Sequence, residues 1–183
     1  MEVSNHFSLQ SAAAHFEQHG YVIVDAEIAY KRILNIFTDR YLAKFSDDAG
    51  KNRNLLKVFA NDIVLKDLIV NLKVMSFLRY IQTYPVMTGP LVTHWTSTDI
   101  TGDHYALPFH QDWPSMGTSS NSVICWTSLH DVNQNTHGLS VIPGSHKQGL
   151  VKGIQTENGY LVEAPDEQLA TRLDVNAGQV LFM

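Results

Sequence analysis

The chain predicts an α+β fold, in which a mainly β, barrel-like core carries N-terminal helices on its outside, and three observations lead there. Apolar residues recur at three- and four-residue steps up to Pro85, as on helices with one buried face. Beyond Pro85 the text changes to short segments rich in Val, Thr, Trp and Ile, divided by turn residues such as Thr101-Gly102-Asp103, Asn135 and Pro143-Gly144. With 183 residues and 44% hydrophobic content there is material for one sizeable core and not for two independent domains. Residues 1–84 are therefore read as the mainly helical part, and 85–183 as the β part, of a single domain.

Between Ser8 and His19, residues Ala12, Ala13, Ala14 and Phe16 suit a short helix, which Gly20 is placed to end in a left-handed turn. Tyr21-Val22-Ile23-Val24 reads as a strand. Asp25 is expected to cap the next helix, whose apolar residues are Ile33, Phe37 and Tyr41 with Leu34, Leu42 and Phe45. The polar stretch from Ser46 to Asn54 reads as a loop. Leu65, Leu68, Leu72, Met75, Leu78 and Ile81 then resume helical spacing until Pro85, as one long helix or two shorter ones. The strands expected after it are Leu91 to Thr96, Phe109 to Trp113, Ser122 to Val132, Leu139 to Ile142 and Gln179 to Phe182, with a hairpin around Asn158-Gly159.

A net charge of −5 gives no electrostatic reason to expect nucleic acid or an anionic membrane as partner, which leaves a small-molecule substrate open. One cysteine, Cys125, excludes an internal disulfide and fits a reducing cytosol; it is read as a buried strand residue. The first ten residues lack a basic patch followed by an apolar run. No later segment is apolar for the roughly 18 residues that a membrane span needs, so a soluble, cytoplasmic protein is expected.

Chemistry concentrates at His110-Gln111-Asp112. Residues two apart on an extended strand point to the same side, so the imidazole and the carboxylate can grip one metal ion. They are two of the three ligand types in the 2-His-1-carboxylate face of non-haem Fe(II) oxygenases. A His-x-Asp triplet by itself also fits an ordinary hydrogen-bonded loop.

The surrounding text distinguishes these readings: Phe109-His110-Gln111-Asp112-Trp113, then Trp126 and Asp131, then Gly138-Leu139-Ser140-Val141-Ile142-Pro143-Gly144-Ser145-His146. Together these blocks resemble the phytanoyl-CoA dioxygenase family. Phe16-Glu17-Gln18-His19-Gly20-Tyr21-Val22-Ile23-Val24 is similar to that family's helix-to-strand entry, so the resemblance covers most of the chain. It implies a double-stranded β-helix, or cupin-like jelly-roll, core. It also implies Fe(II) as cofactor, with 2-oxoglutarate and dioxygen consumed to hydroxylate an unactivated carbon. Because related halogenases replace the carboxylate with a small residue, the presence of Asp112 argues for hydroxylation. The family analogy adds Lys57 and Trp126 as co-substrate contacts, and Trp95 on the preceding strand as a further wall of the same cavity. A surface lysine beside Leu55 and Leu56 is the commoner reading of Lys57, and Trp126 is equally a core residue of its strand. If extension continues past Asp112, Trp113 points away from the metal side. The resemblance puts His146 in a turn rather than on the metal, and no motif recommends His94, His104, His130 or His137.

In the family pattern, the strand resembling Ala177-Gly178-Gln179-Val180-Leu181-Phe182 leads to a distal His ligand and then to an Arg that binds the far carboxylate of 2-oxoglutarate. The chain ends at Met183 before either, and Arg172 precedes that strand. The core is accordingly expected to lack its C-terminal strands, as in a truncated form of the enzyme. The competing expectation is a non-catalytic jelly-roll binding module that has lost the complete iron site. The substrate is set by variable loops, and no basic cluster marks a site for CoA phosphates. Oligomeric state leaves no signature.

Overall fold

In the computed structural model, which describes residues 8–82, 108–116, 121–133, 136, 139–156, 159–163 and 165–183, the first helix begins where its cap predicts. Ser8 Oγ accepts the Ser11 amide at 3.0 Å and opens α1, Leu9–His19. Gly20 closes it at φ 79°, donating its N–H to Phe16 O at 2.7 Å. Strand β1, Val22–Val24, follows. The expected strand at Leu91 to Thr96, together with Trp95, His94, His104 and His137, lies outside the described residues.

Asp25 does not cap α2, Tyr30–Arg40. Its carboxylate instead accepts the Glu27 amide at 3.3 Å in a local turn, and four residues separate it from the helix. Ile33, Phe37 and Tyr41 are buried as expected, whereas Leu42 is exposed. The stretch expected as a loop after Ser46 instead contains the start of α3, Ala49–Ala60, because Asp48 caps that helix and Asn52 ties its first turns back to Ser46. Asp48 accepts from the Gly50 and Lys51 amides, and Asn52 exchanges two hydrogen bonds with the Ser46 backbone. The following periodic run resolves into two helices, α4 (Ile63–Ile69) and α5 (Leu72–Ile81). Asn71 makes the break: its Oδ1 accepts the Lys73 and Val74 amides at 3.0 Å, and its Nδ2 donates to Ala26 O at 2.7 Å. With the helix starting there, Val74 and Phe77 turn inward and Leu72 is 85% exposed.

Among the described residues, every strand pairing of the β part is antiparallel. It comprises β2 (Cys125–Trp126), β3 (Ser140–Val141), β4 (Gly153–Thr156), β5 (Gly159–Val162), β6 (Thr171–Arg172) and β7 (Val180–Phe182). These form a three-stranded sheet ordered β1-β7-β2 and two pairs, β3-β6 and β4-β5. The hairpin expected around Asn158-Gly159 is β4-β5, with Gly153 opposite Val162 and Thr156 opposite Gly159. The segment from Ser122 to Val132 is strand only at β2, plus one bridge from Val132 to Val175. That from Phe109 to Trp113 shrinks to a bridge between His110 and Leu161. Extension stops after Asp112, where Trp113–Met116 forms the short helix α6. Pro114 cannot donate to a sheet ladder but fits the first turn of a helix.

Strand β7 is buried on both faces. Its Val180 and Phe182, with Val22 and Val24 of β1, join the helical cluster of Ala12, Ile33, Phe37, Val74 and Phe77; the Phe77 and Phe182 rings lie 4.5 Å apart. Leu181 points the other way, into a second cluster with Leu173, Val175, Ile23 and Trp126. Cys125, expected to be buried, lies on β2, at the edge of its three-stranded sheet among the described residues, and is exposed.

The turn carrying Gly144-Ser145-His146 docks on the end of α1. Gly144 donates to His19 O at 2.8 Å and His146 Nε2 donates to Glu17 O at 3.0 Å, satisfying carbonyls that the helix leaves open. The His146 ring then covers Gly20, where a methyl group would sit 2.7 Å from the ring's Cγ. Gly20→Ala must therefore bear both a left-handed backbone and a clash, and is expected to cost about 2 kcal/mol or more in urea denaturation. Adding His146→Ala should recover only the clash, so the two changes will be non-additive in a double-mutant cycle.

Candidate metal centre

Residues 109–112 run antiparallel to β5. Val162 donates to Phe109 O at 2.8 Å, Gln111 donates to Tyr160 O at 3.3 Å, and His110 sits opposite Leu161. This pairing keeps the segment extended long enough for His110 and Asp112 to share a face. Their Nε2 and Oδ1 atoms are 3.4 Å apart. Two donors bound at right angles, each ~2.1 Å from one metal ion, would be separated by ~3 Å, so a small shift suffices for joint ligation.

Ring orientation favours the same use. His110 Nδ1 lies 2.9 Å from Pro108 O, and since a carbonyl can only accept, that nitrogen carries a proton. In the neutral ring Nε2 then holds the lone pair, directed at the Asp112 side, as a ligating histidine requires. Both side chains are partly exposed and open to an ion arriving from solvent.

Without a metal the two side chains pair with each other. Hydrogen bonding to Asp112 raises the His110 pKa above its ordinary value, with burial opposing and the Pro108 carbonyl assisting. The His110 imidazolium in turn lowers that of Asp112, again against burial. The proton on His110 stabilises the fold fully below pH 6.5, and that contribution is lost as pH rises through the raised value. The Asp112 carboxylate contributes above pH 3.8, and that contribution is lost as pH falls through the lowered value.

Of the other sequence candidates, Lys57 is exposed on the last turn of α3. Trp126 packs in the second apolar cluster beside Leu181. Among the described residues, no hydrogen bond or ion pair links either one to His110 or Asp112. Trp113, expected on an extended strand, heads α6 and is 48% exposed. Arg172 donates to Thr136 O at 2.6 Å, and Asp131 accepts the Ala177 amide at 2.8 Å, so both hold backbone in place. His146 is engaged in the turn on α1. No set of three or more His, Cys, Asp or Glu side chains converges on one point among the described residues.

Sequence reasoning gave Gln111 no role. Its Nε2 donates to Gly149 O at 2.9 Å and its Oε1 accepts the Val151 amide at 3.0 Å. The available signal was alternation, which places the middle residue of the triplet on the face opposite the two ligand candidates.

The model of the phytanoyl-CoA dioxygenase family matches residues 36–183. The chain belongs to this family. The match contains both the His110-Gln111-Asp112 and the Pro143-Gly144-Ser145-His146 blocks, and begins after the Phe16 to Val24 block. At the level of the family, this membership implies an oxygenase of the Fe(II)/2-oxoglutarate type. No curated protein and no solved structure matches the chain. No helix among the described residues is long and apolar enough to cross a membrane.

Asp112→Asn removes the partner that holds the proton on His110. In the metal-free protein the His110 pKa should fall toward 6.5, read from its ring nitrogen shifts in an NMR pH titration. An unchanged His110 titration would mean that the two side chains do not pair.

Proposed function

We propose that the chain is an Fe(II)- and 2-oxoglutarate-dependent dioxygenase that hydroxylates a small molecule at the mouth of a double-stranded β-helix core. The carrying observation is the His110-Asp112 pair, with donor atoms 3.4 Å apart and Nδ1 tied to Pro108 O. His110 would supply a neutral nitrogen and Asp112 a negative oxygen to one ion, and the family pattern adds a distal histidine after the strand resembling Ala177 to Phe182. Bound there with 2-oxoglutarate, iron supplies the means to activate dioxygen. The overall change would turn a substrate C–H bond into C–OH with one oxygen atom of dioxygen, while the other enters succinate as 2-oxoglutarate loses carbon dioxide.

This chain's own residues hold and orient the reactants. Asp112 would hold the iron through its carboxylate, where a small residue would leave room for a halide, and this favours hydroxylation. Lys57 is a candidate cation for a 2-oxoglutarate carboxylate, and Trp95 and Trp126 are candidate walls of the co-substrate cavity. Trp126 would do so from the side of its sheet away from the helices, where it lies with Leu181. The cytosol is the proposed compartment.

Anaerobic addition of Fe(II) and 2-oxoglutarate should produce a visible metal-to-keto-acid charge-transfer band in the folded protein, or in a longer form that continues past Met183. His110→Ala or Asp112→Ala should weaken metal binding by ~100-fold or more and abolish the band. If both folded forms fail to give the band, the dioxygenase reading falls and a non-catalytic jelly-roll binding module replaces it.

A further inference from the structure

Building on the metal-centre reading above, we infer that Gln111 is the positioning residue of that centre: a two-point amide clamp that sets the spacing of His110 and Asp112 from the opposite face of their segment. Three observations carry this. The first is direction, since the alternation that puts His110 and Asp112 on one face puts Gln111 on the other. The second is saturation at both ends of the amide, whose Nε2 donates to Gly149 O at 2.9 Å while its Oε1 accepts from Val151 N at 3.0 Å. An amide used as donor and acceptor at once against one stretch of backbone cannot rotate without losing both bonds.

The third is convergence from the paired strand. Tyr160 lies across from Gln111, accepting its backbone N–H at 3.3 Å, and the Tyr160 hydroxyl donates to Val151 O at 3.0 Å. Val151 is therefore gripped by its N–H from Gln111 and by its C=O from Tyr160. Gly153, two residues on, lets the Tyr160 ring approach to a point where a methyl group would lie 2.6 Å from its Cε1. Residues 149–153 thus form a fixed rail under the triplet. The bridge at His110 is isolated and the chain turns into α6 directly after Asp112, so ladder hydrogen bonds alone give the ligand face little support. The clamp supplies what the ladder does not. Glutamine suits the position because a carboxylate would face the Gly149 carbonyl with no hydrogen to give, while a shorter amide would not span both partners.

The test uses Mn(II), titrated by its electron paramagnetic resonance signal into the wild type, Gln111→Met and Gln111→Glu. Methionine keeps the length and removes both bonds, whereas glutamate at neutral pH keeps only the acceptor. Amide hydrogen exchange of the same proteins reports Val151 locally and the Phe77 and Leu181 core globally. The expected result is Mn(II) binding about tenfold weaker in Gln111→Met, a smaller loss in Gln111→Glu, a changed signal line shape in both, faster exchange at Val151 and an unchanged core. Wild-type affinity and line shape in both variants would overturn the positioning role and leave the metal centre standing. Failure of the wild-type protein to bind Mn(II) would overturn the metal centre and the clamp with it.

Discussion

Strand β7 has no solvent side, and the two layers of the protein meet on it. Val180 and Phe182 face the helices while Leu181 faces the second apolar cluster, and all three are essentially inaccessible to solvent. Burial of such side chains stabilises by about 1.5–3 kcal/mol each. Its neighbours β1 and β2 are three and two residues long, too short to persist as isolated strands, and each is paired to β7. Phe182 then joins this sheet to α5 through Phe77. Loss of β7 would uncover the helical face and separate β1 from β2 together.

The candidate metal centre obeys the same alternation on a smaller scale. In β7 both faces are apolar, so both are buried. In the segment 109–112 one face carries the ligand candidates and the other carries Gln111, so one side is open to solvent chemistry and the other is tied to backbone. A site on a single bridged residue of strand would ordinarily be mobile. Here its far side is hydrogen-bonded to residues 149–151, which converts a weak ladder into a defined platform.

Much of this was legible. Gly20 after a helical run, the alternating Val22 and Val24, and the hairpin at Asn158-Gly159 follow from local rules that tertiary packing had no reason to overturn. The misses among the helices come from capping residues. Ser46, Asp48 and Asn52 look like loop residues because the small polar side chains that favour turns also cap helices, and only the partner amides tell the two uses apart. Leu72 fits a helical stripe until Asn71 resets the helix start and rotates the stripe by part of a turn. At the site, the residue types of His110 and Asp112 marked them as ligand candidates, but the hydrogen bonds of Gln111 were hidden because its partners lie 38 and 40 positions along the chain.

The motif blocks are physically one structure. From the end of α1, the His19 and Glu17 carbonyls reach Gly144 and His146; the turn they hold ends at Gly149, whose carbonyl accepts from Gln111. The helix-to-strand block, the Pro-Gly-Ser-His block and the His-Gln-Asp block therefore meet through hydrogen bonds, although Glu17 and His146 lie 129 positions apart. Two histidines in this assembly have opposite uses, and the nitrogen that is tied decides which. His146 spends Nε2 on Glu17 O and serves the fold. His110 ties Nδ1 to Pro108 O and leaves Nε2 beside the Asp112 carboxylate, where a metal ion can replace the shared proton.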